Sequence, residues 1–153
     1  MQFGGWPAHN RARRARGPLA AVLLTVGMSA CGGQGHAVAS AHVAVRLEDF
    51  KLTASTVTVP AGRVTFDVTN QGPSTHEFNV DQTVLPADKL PIDSTGLRVA
   101  EDSPQLARQG SVESAAEATI HHLTLDLAPG TYVVYCNLEG HYLSGIHAQI
   151  IVR

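Results

Sequence analysis

Tyr135-Cys136-Asn137-Leu138-Glu139-Gly140-His141, continued by Tyr142-Leu143-Ser144-Gly145-Ile146-His147, is the stretch from which the rest of the chain can be read. A thiol and an imidazole are separated by four residues, with Gly140 in the loop between them and extended apolar sequence on either side. Both side chains can therefore turn toward one point, which is the requirement for a metal site. A second imidazole, His76, follows Asn70-Gln71-Gly72-Pro73-Ser74-Thr75, a Gly/Pro loop that also comes after an apolar strand pattern. One thiolate and two imidazoles make the trigonal set that copper uses for electron transfer, with a weak and distant fourth ligand. The same three donors also suit zinc.

The chain is 153 residues long, enough for one domain of ordinary size and too short for two. Its start reads as an export signal. Arg11, Arg13, Arg14 and Arg16 form a basic run, Leu19 to Met28 is apolar, and Ser29-Ala30 precede Cys31. The apolar run is shorter than the about 20 residues that a membrane span needs. Residues 1–30 are expected to be a lipoprotein-type signal peptide. Cys31 would then become the acylated first residue, anchoring the exported protein to the outer face of the cytoplasmic membrane. Ordinary secretion or a periplasmic location, with Cys31 left as a free thiol, is the alternative. Acylation of Cys31 would leave Cys136 without a disulfide partner, and a metal accounts for such a lone thiol.

Residues 31–41 are small and uncharged apart from His36 and have no apolar period, so they read as a flexible tether. Such a coil spans roughly 17 Å on average and about 35 Å at full extension. His36 and His42 read as solvated. Beyond the four leading arginines the chain carries seven basic and thirteen acidic residues, a formal charge of −6. That sign excludes nucleic acid as a natural partner.

From 42 to 153 the pattern is that of strands. Val43, Val45 and Leu47 alternate with small or polar residues, and a bulge or bend is expected near Glu48-Asp49, because Phe50 and Leu52 break the parity. Pro60-Ala61-Gly62 turns the chain between Val57, Val59 and Val64, Phe66, Val68, and these segments read as paired antiparallel strands. Phe78 and Val80 resume the pattern after His76. Leu123, Leu125 and Leu127, then Tyr132, Val134 and Cys136, then Ala148 to Val152 complete it. Residues 86–118 are rich in Pro, Asp, Ser and Ala and read as a long, partly irregular insertion. Ser103 could cap a short helix there, with Pro104 in its first position and Gly110 past its end. The fold class is all-β: an antiparallel sandwich of about seven strands.

These residues resemble the cupredoxins, the blue-copper proteins of the plastocyanin and azurin group, over about Val43 to Val152. Gly130-Thr131-Tyr132-Val133-Val134-Tyr135-Cys136, Gly140-His141 and Gly145-Ile146-His147 carry the resemblance. It implies a Greek-key sandwich and one copper ion held by His76, Cys136 and His141. In the family an axial Met usually stands five residues after the second histidine. Ile146 stands there in this chain and cannot coordinate, which leaves three ligands or a distant backbone oxygen from the Gly72 to Thr75 loop. Glu77 takes the place of an Asn that in many relatives ties the two ligand loops together, so that tie must be arranged differently. His147, one residue past the axial position, is expected to point away from the metal. His121 and His122 are adjacent in a strand and so face opposite ways.

Together with the export signal before Cys31, the resemblance implies a monomeric, membrane-tethered carrier of single electrons between redox protein partners. A lipoprotein that stores or delivers copper without redox shuttling is the second reading. An enzyme is not expected: the chain has no His-x-His pair for a catalytic copper and no second Cys in the 136–141 loop for a binuclear one.

Overall fold

Alternation along the chain is what builds the core. Val43, Val45 and Leu47 are fully buried while the intervening His42, Ala44 and Arg46 are exposed, as a strand with one face on a core requires. The computed structural model describes residues 39–153. The expected signal peptide, Cys31 and most of the expected tether lie outside the described residues.

The described residues form nine strands: β1 (Ser40–Glu48), β2 (Lys51–Ala54), β3 (Thr58–Val59), β4 (Gly62–Asn70), β5 (His76–Gln82), β6 (Ala107–Ala115), β7 (Ile120–Leu127), β8 (Gly130–Tyr135) and β9 (His147–Val152). They form a four-stranded sheet in the order β2-β1-β4-β7 and a five-stranded sheet in the order β3-β9-β8-β5-β6. The first strand begins at Ser40, inside the segment expected to be tether. Phe66 on β4 and Phe78 on β5 meet across the sandwich with ring centroids 5.4 Å apart. Full burial of a side chain of this size contributes about 1.5–3 kcal/mol.

The sandwich is as expected, but two of its pairings are not antiparallel, and the segments on either side of Pro60-Ala61-Gly62, expected to pair with each other, belong to different sheets as β3 and β4. β1 runs parallel to β4, and β3 runs parallel to β9. β1 turns through the two-residue Asp49-Phe50 hairpin into β2, and the chain then crosses to the other sheet as β3. It returns as β4 in the direction of β1. Each strand's period is the same in either pairing, so alternation alone could not separate them.

The insertion also departs from expectation. No helix occurs among the described residues. Ser103 does close a turn, its carbonyl accepting from Leu106 N–H at 3.0 Å. The chain then becomes β6, which pairs antiparallel with the otherwise open edge of β5. Ladder bonds along that edge outweigh a local capping preference worth about 1 kcal/mol. The rest of the insertion lies over the outer face of the five-stranded sheet. Leu90 and Val99 pack there on Val133, Tyr135 and Tyr142 to form a second apolar cluster. β8 is consequently buried on both faces, which explains its unbroken apolar run Tyr132-Val133-Val134-Tyr135.

Candidate metal centre

β5 and β8 are antiparallel neighbours, with Asn79 opposite Tyr135. The first residue of β5, His76, and the residue just past β8, Cys136, therefore lie at the same end of the sheet. After Cys136 the chain makes a closed loop: Cys136 N–H donates to Ile146 C=O at 3.1 Å, and Ile146 N–H donates to His141 C=O at 3.2 Å. Gly140 and Gly145 in this loop have φ of 77° and 101°, a region that side chains with a Cβ rarely occupy. The loop folds His141 back over Cys136, placing Nδ1 3.3 Å from Sγ.

One donor atom each from His76, Cys136 and His141 lie within 4.8 Å of one another, the single group of its kind among the described residues. His76 and Cys136 are completely buried, whereas His141 is partly exposed. Burial lowers the pKa of His76, and the nearby His141 acts in the same direction against the opposing pull of Asp49. Burial pushes the Cys136 thiol up, against backbone hydrogen bonds from Glu77 and Leu138.

The decisive atom is Nδ1 of His76. It is buried and has no hydrogen-bond partner, a costly state for a polar atom. Its other ring nitrogen, Nε2, faces Asp49 Oδ1 at 3.3 Å. A ligating histidine has this form: one nitrogen turned toward the metal, the other held by a carboxylate or carbonyl. The donor set, one sulfur and two imidazoles, fits one copper ion.

A family model for the cupredoxin-like domain matches residues 19–152. The chain belongs to the cupredoxin-like family. Among solved structures, this cupredoxin is similar to auracyanin B, with 20% identity and a TM-score of 0.51 over 76% of this chain and 91% of that one. It is also similar to rusticyanin from Thiobacillus ferrooxidans, with 23% identity and a TM-score of 0.50 over 74% of this chain and 77% of that one. A third neighbour is auracyanin A, described as a "blue" copper protein from Chloroflexus aurantiacus. It shares 16% identity and a TM-score of 0.50 over 75% of this chain and all of that one. At these identities the likeness is one of fold. None of the curated protein sequences matches the chain.

Around the donors, this cupredoxin differs from a simple reading of its sequence in three ways. The tie between ligand loops does not use a side chain at 77: the Glu77 backbone N–H donates to Cys136 Sγ at 3.2 Å. Asn70 organises the His76 loop instead, donating to Ser74 C=O at 2.7 Å and Ala115 C=O at 2.8 Å, and accepting from Gly72 N–H at 2.9 Å. Asp49 was visible in the sequence only as part of a bend, and nothing local connects it with a histidine 27 residues later.

Ile146 is 1% exposed and lines a cavity of about 50 Å³ together with Asp49, Phe50, Ser74, His76 and His141. His147 faces away, its ring 5.1 Å from that of Tyr142 in the outer cluster. His121 and His122 lie on the edge strand β7 with different exposure, and His122 and His42 both contact Asp67, on the outer face of the four-stranded sheet.

Proposed function

We propose that this cupredoxin is a type 1 copper protein that carries single electrons between redox protein partners outside the cytoplasmic membrane. The buried, unpartnered Nδ1 of His76 beside Cys136 Sγ and His141 is the observation that supports it most. Bound copper would supply a one-electron couple. Cys136, as thiolate, would be the strong donor, since metal binding keeps a ligating sulfur deprotonated. His76 and His141 would complete the set, with Ile146 excluding water from one side. Ligands on strand ends and on a loop closed at its base have little freedom to rearrange, which suits a change of oxidation state.

Of the three ligands only His141 is partly exposed. Phe50, which lines the same cavity, is 70% exposed, and Leu143, two residues after His141, is 53% exposed. This apolar side is where a redox partner would approach. The membrane tether through Cys31 rests on the basic run, the apolar run and the small residues before it; lipid on Cys31 is checked by mass spectrometry of the exported protein.

A redox titration of the copper-loaded protein followed in the visible range tests the reading. An intense sulfur-to-copper charge-transfer band should bleach and return reversibly with copper retained, and Cys136→Ala should lack it. Loss of copper on reduction would favour storage or delivery, and a colourless protein that prefers zinc would overturn the copper site.

A further inference from the structure

The β1–β2 turn brings a carboxylate to the back of a ligand histidine, and several features of the chain hold it there. Asp49 Oδ1 lies 3.3 Å from His76 Nε2, and Ser74 Oγ donates to Asp49 Oδ2 at 3.2 Å. Gly72 makes room for it: a Cβ at that position would lie 2.8 Å from Asp49 Oδ1 and 3.0 Å from Asp49 N. The next residue, Phe50, takes a φ of 67°, unfavourable for a bulky side chain, to close the hairpin that aims Asp49 at His76. The chain also docks the two segments through Gln71 N–H, which donates to Leu47 C=O at 2.8 Å.

We propose that Asp49 is a positioning residue of the metal centre, whose carboxylate fixes the proton of His76 on Nε2 and whose negative charge favours copper(II) over copper(I). The proposal rests on the copper reading above.

A carboxylate only accepts hydrogen bonds, so the nitrogen facing it must carry the proton. Nδ1 is then left with its lone pair free, and it is the atom without a partner. A negative charge beside a ligand also raises the ligand's basicity and favours the more highly charged metal state. Ile146, across the same cavity, acts the other way, since an apolar side chain supplies no electron density and keeps water out. The reduction potential of this site is thus set by two opposed residues. One of them, Asp49, comes from a turn that contributes no ligand.

Two substitutions separate orientation from charge. Asp49→Asn keeps an oxygen that accepts from Nε2 and removes the charge; Asp49→Ala removes both. In the metal-free protein, nitrogen NMR of the His76 ring should show the proton on Nε2 in the wild type and in Asp49→Asn, and a mixture of tautomers in Asp49→Ala. After copper loading, both variants should have a higher reduction potential than wild type. Their affinity for copper(II) should fall about 10- to 100-fold, the loss usual for such supporting residues, with a smaller change for copper(I). Thermal unfolding of the metal-free variants identifies any that are misfolded. An unchanged or lower potential in Asp49→Asn would overturn the role of the charge, and a wild-type His76 protonated on Nδ1 would overturn the positioning. Should the wild type hold no copper, the copper reading fails, and the tautomer measurement still decides whether Asp49 orients His76.

Discussion

The loop that ends in His76 and the loop from Cys136 to Ile146 meet at the metal centre but are held by different parts of the molecule. The first is fixed from within the sandwich. Asn70, 1% exposed, bridges Gly72, Ser74 and Ala115, while Gln71 bonds to β1 and Asp49 and Ser74 meet at its tip. The second is held from outside by the insertion. Asn137 Oδ1 accepts from Val99 N–H at 2.7 Å, and its Nδ2 donates to Glu101 at 2.8 Å. Gly140 N–H donates to Leu97 C=O at 2.9 Å, and Tyr142 OH accepts from Leu90 N–H at 2.8 Å while donating to Ala87 C=O at 3.0 Å. His76 thus depends on contacts shared with the main core. His141, the partly exposed ligand, depends on residues 87–101 of the insertion. The insertion is in this sense part of the site, although it supplies no ligand.

Removing Asn70 should do the most damage. Asn70→Ala strands one buried amide and two carbonyls at once, and should cost about 3 kcal/mol of stability in the metal-free protein, read by denaturant unfolding. Because Asn70 is itself buried and bonds to Ala115 of the core, the loss should appear as a lower midpoint for the whole domain. Asn137→Ala removes the corresponding tie on the other side. It should cost about 2 kcal/mol, and hydrogen exchange should quicken at the Val99 and Gly140 amides before it does in β4 or β5. Equal quickening in both regions would show that the two loops do not have separate supports. Ile146→Met has the smallest effect on stability, under about 1.5 kcal/mol, because the two side chains are close in volume. Its effect should be seen in voltammetry: a thioether facing the copper lowers the potential, opposite to the rise expected on neutralising Asp49. An unchanged or raised potential would mean that residue 146 does not act on the metal.

The sequence was most legible where the relevant residues are neighbours. A period of two marks the buried face of β1, β4 and β8 whatever they pair with, so the all-β sandwich follows from short windows of sequence. Cys136, Gly140, His141 and Gly145 lie within ten residues, and their spacing already constrains two donors to one point; His76 stands out as an imidazole on a Gly/Pro loop between two strands. The expected signal peptide and Cys31 rest on an ordered run of charge, apolar residues and small residues, and lie outside the described residues.

What the sequence could not supply was the meeting of distant segments. The parallel pairing of β1 with β4, the pairing of β6 with β5 in place of a helix after Ser103, the bond between Asp49 and His76 across 27 positions and that between Asn137 and Val99 across 38 all depend on which backbones come together. Side-chain periodicity is indifferent to strand direction, and a polar residue in a turn looks the same whether it faces water or a buried imidazole. Two of the three donors, Cys136 and His141, were therefore written in local spacing. Their orientation, burial and support were decided by tertiary structure, because each requires a partner that only the closed sandwich and its insertion bring within hydrogen-bonding distance.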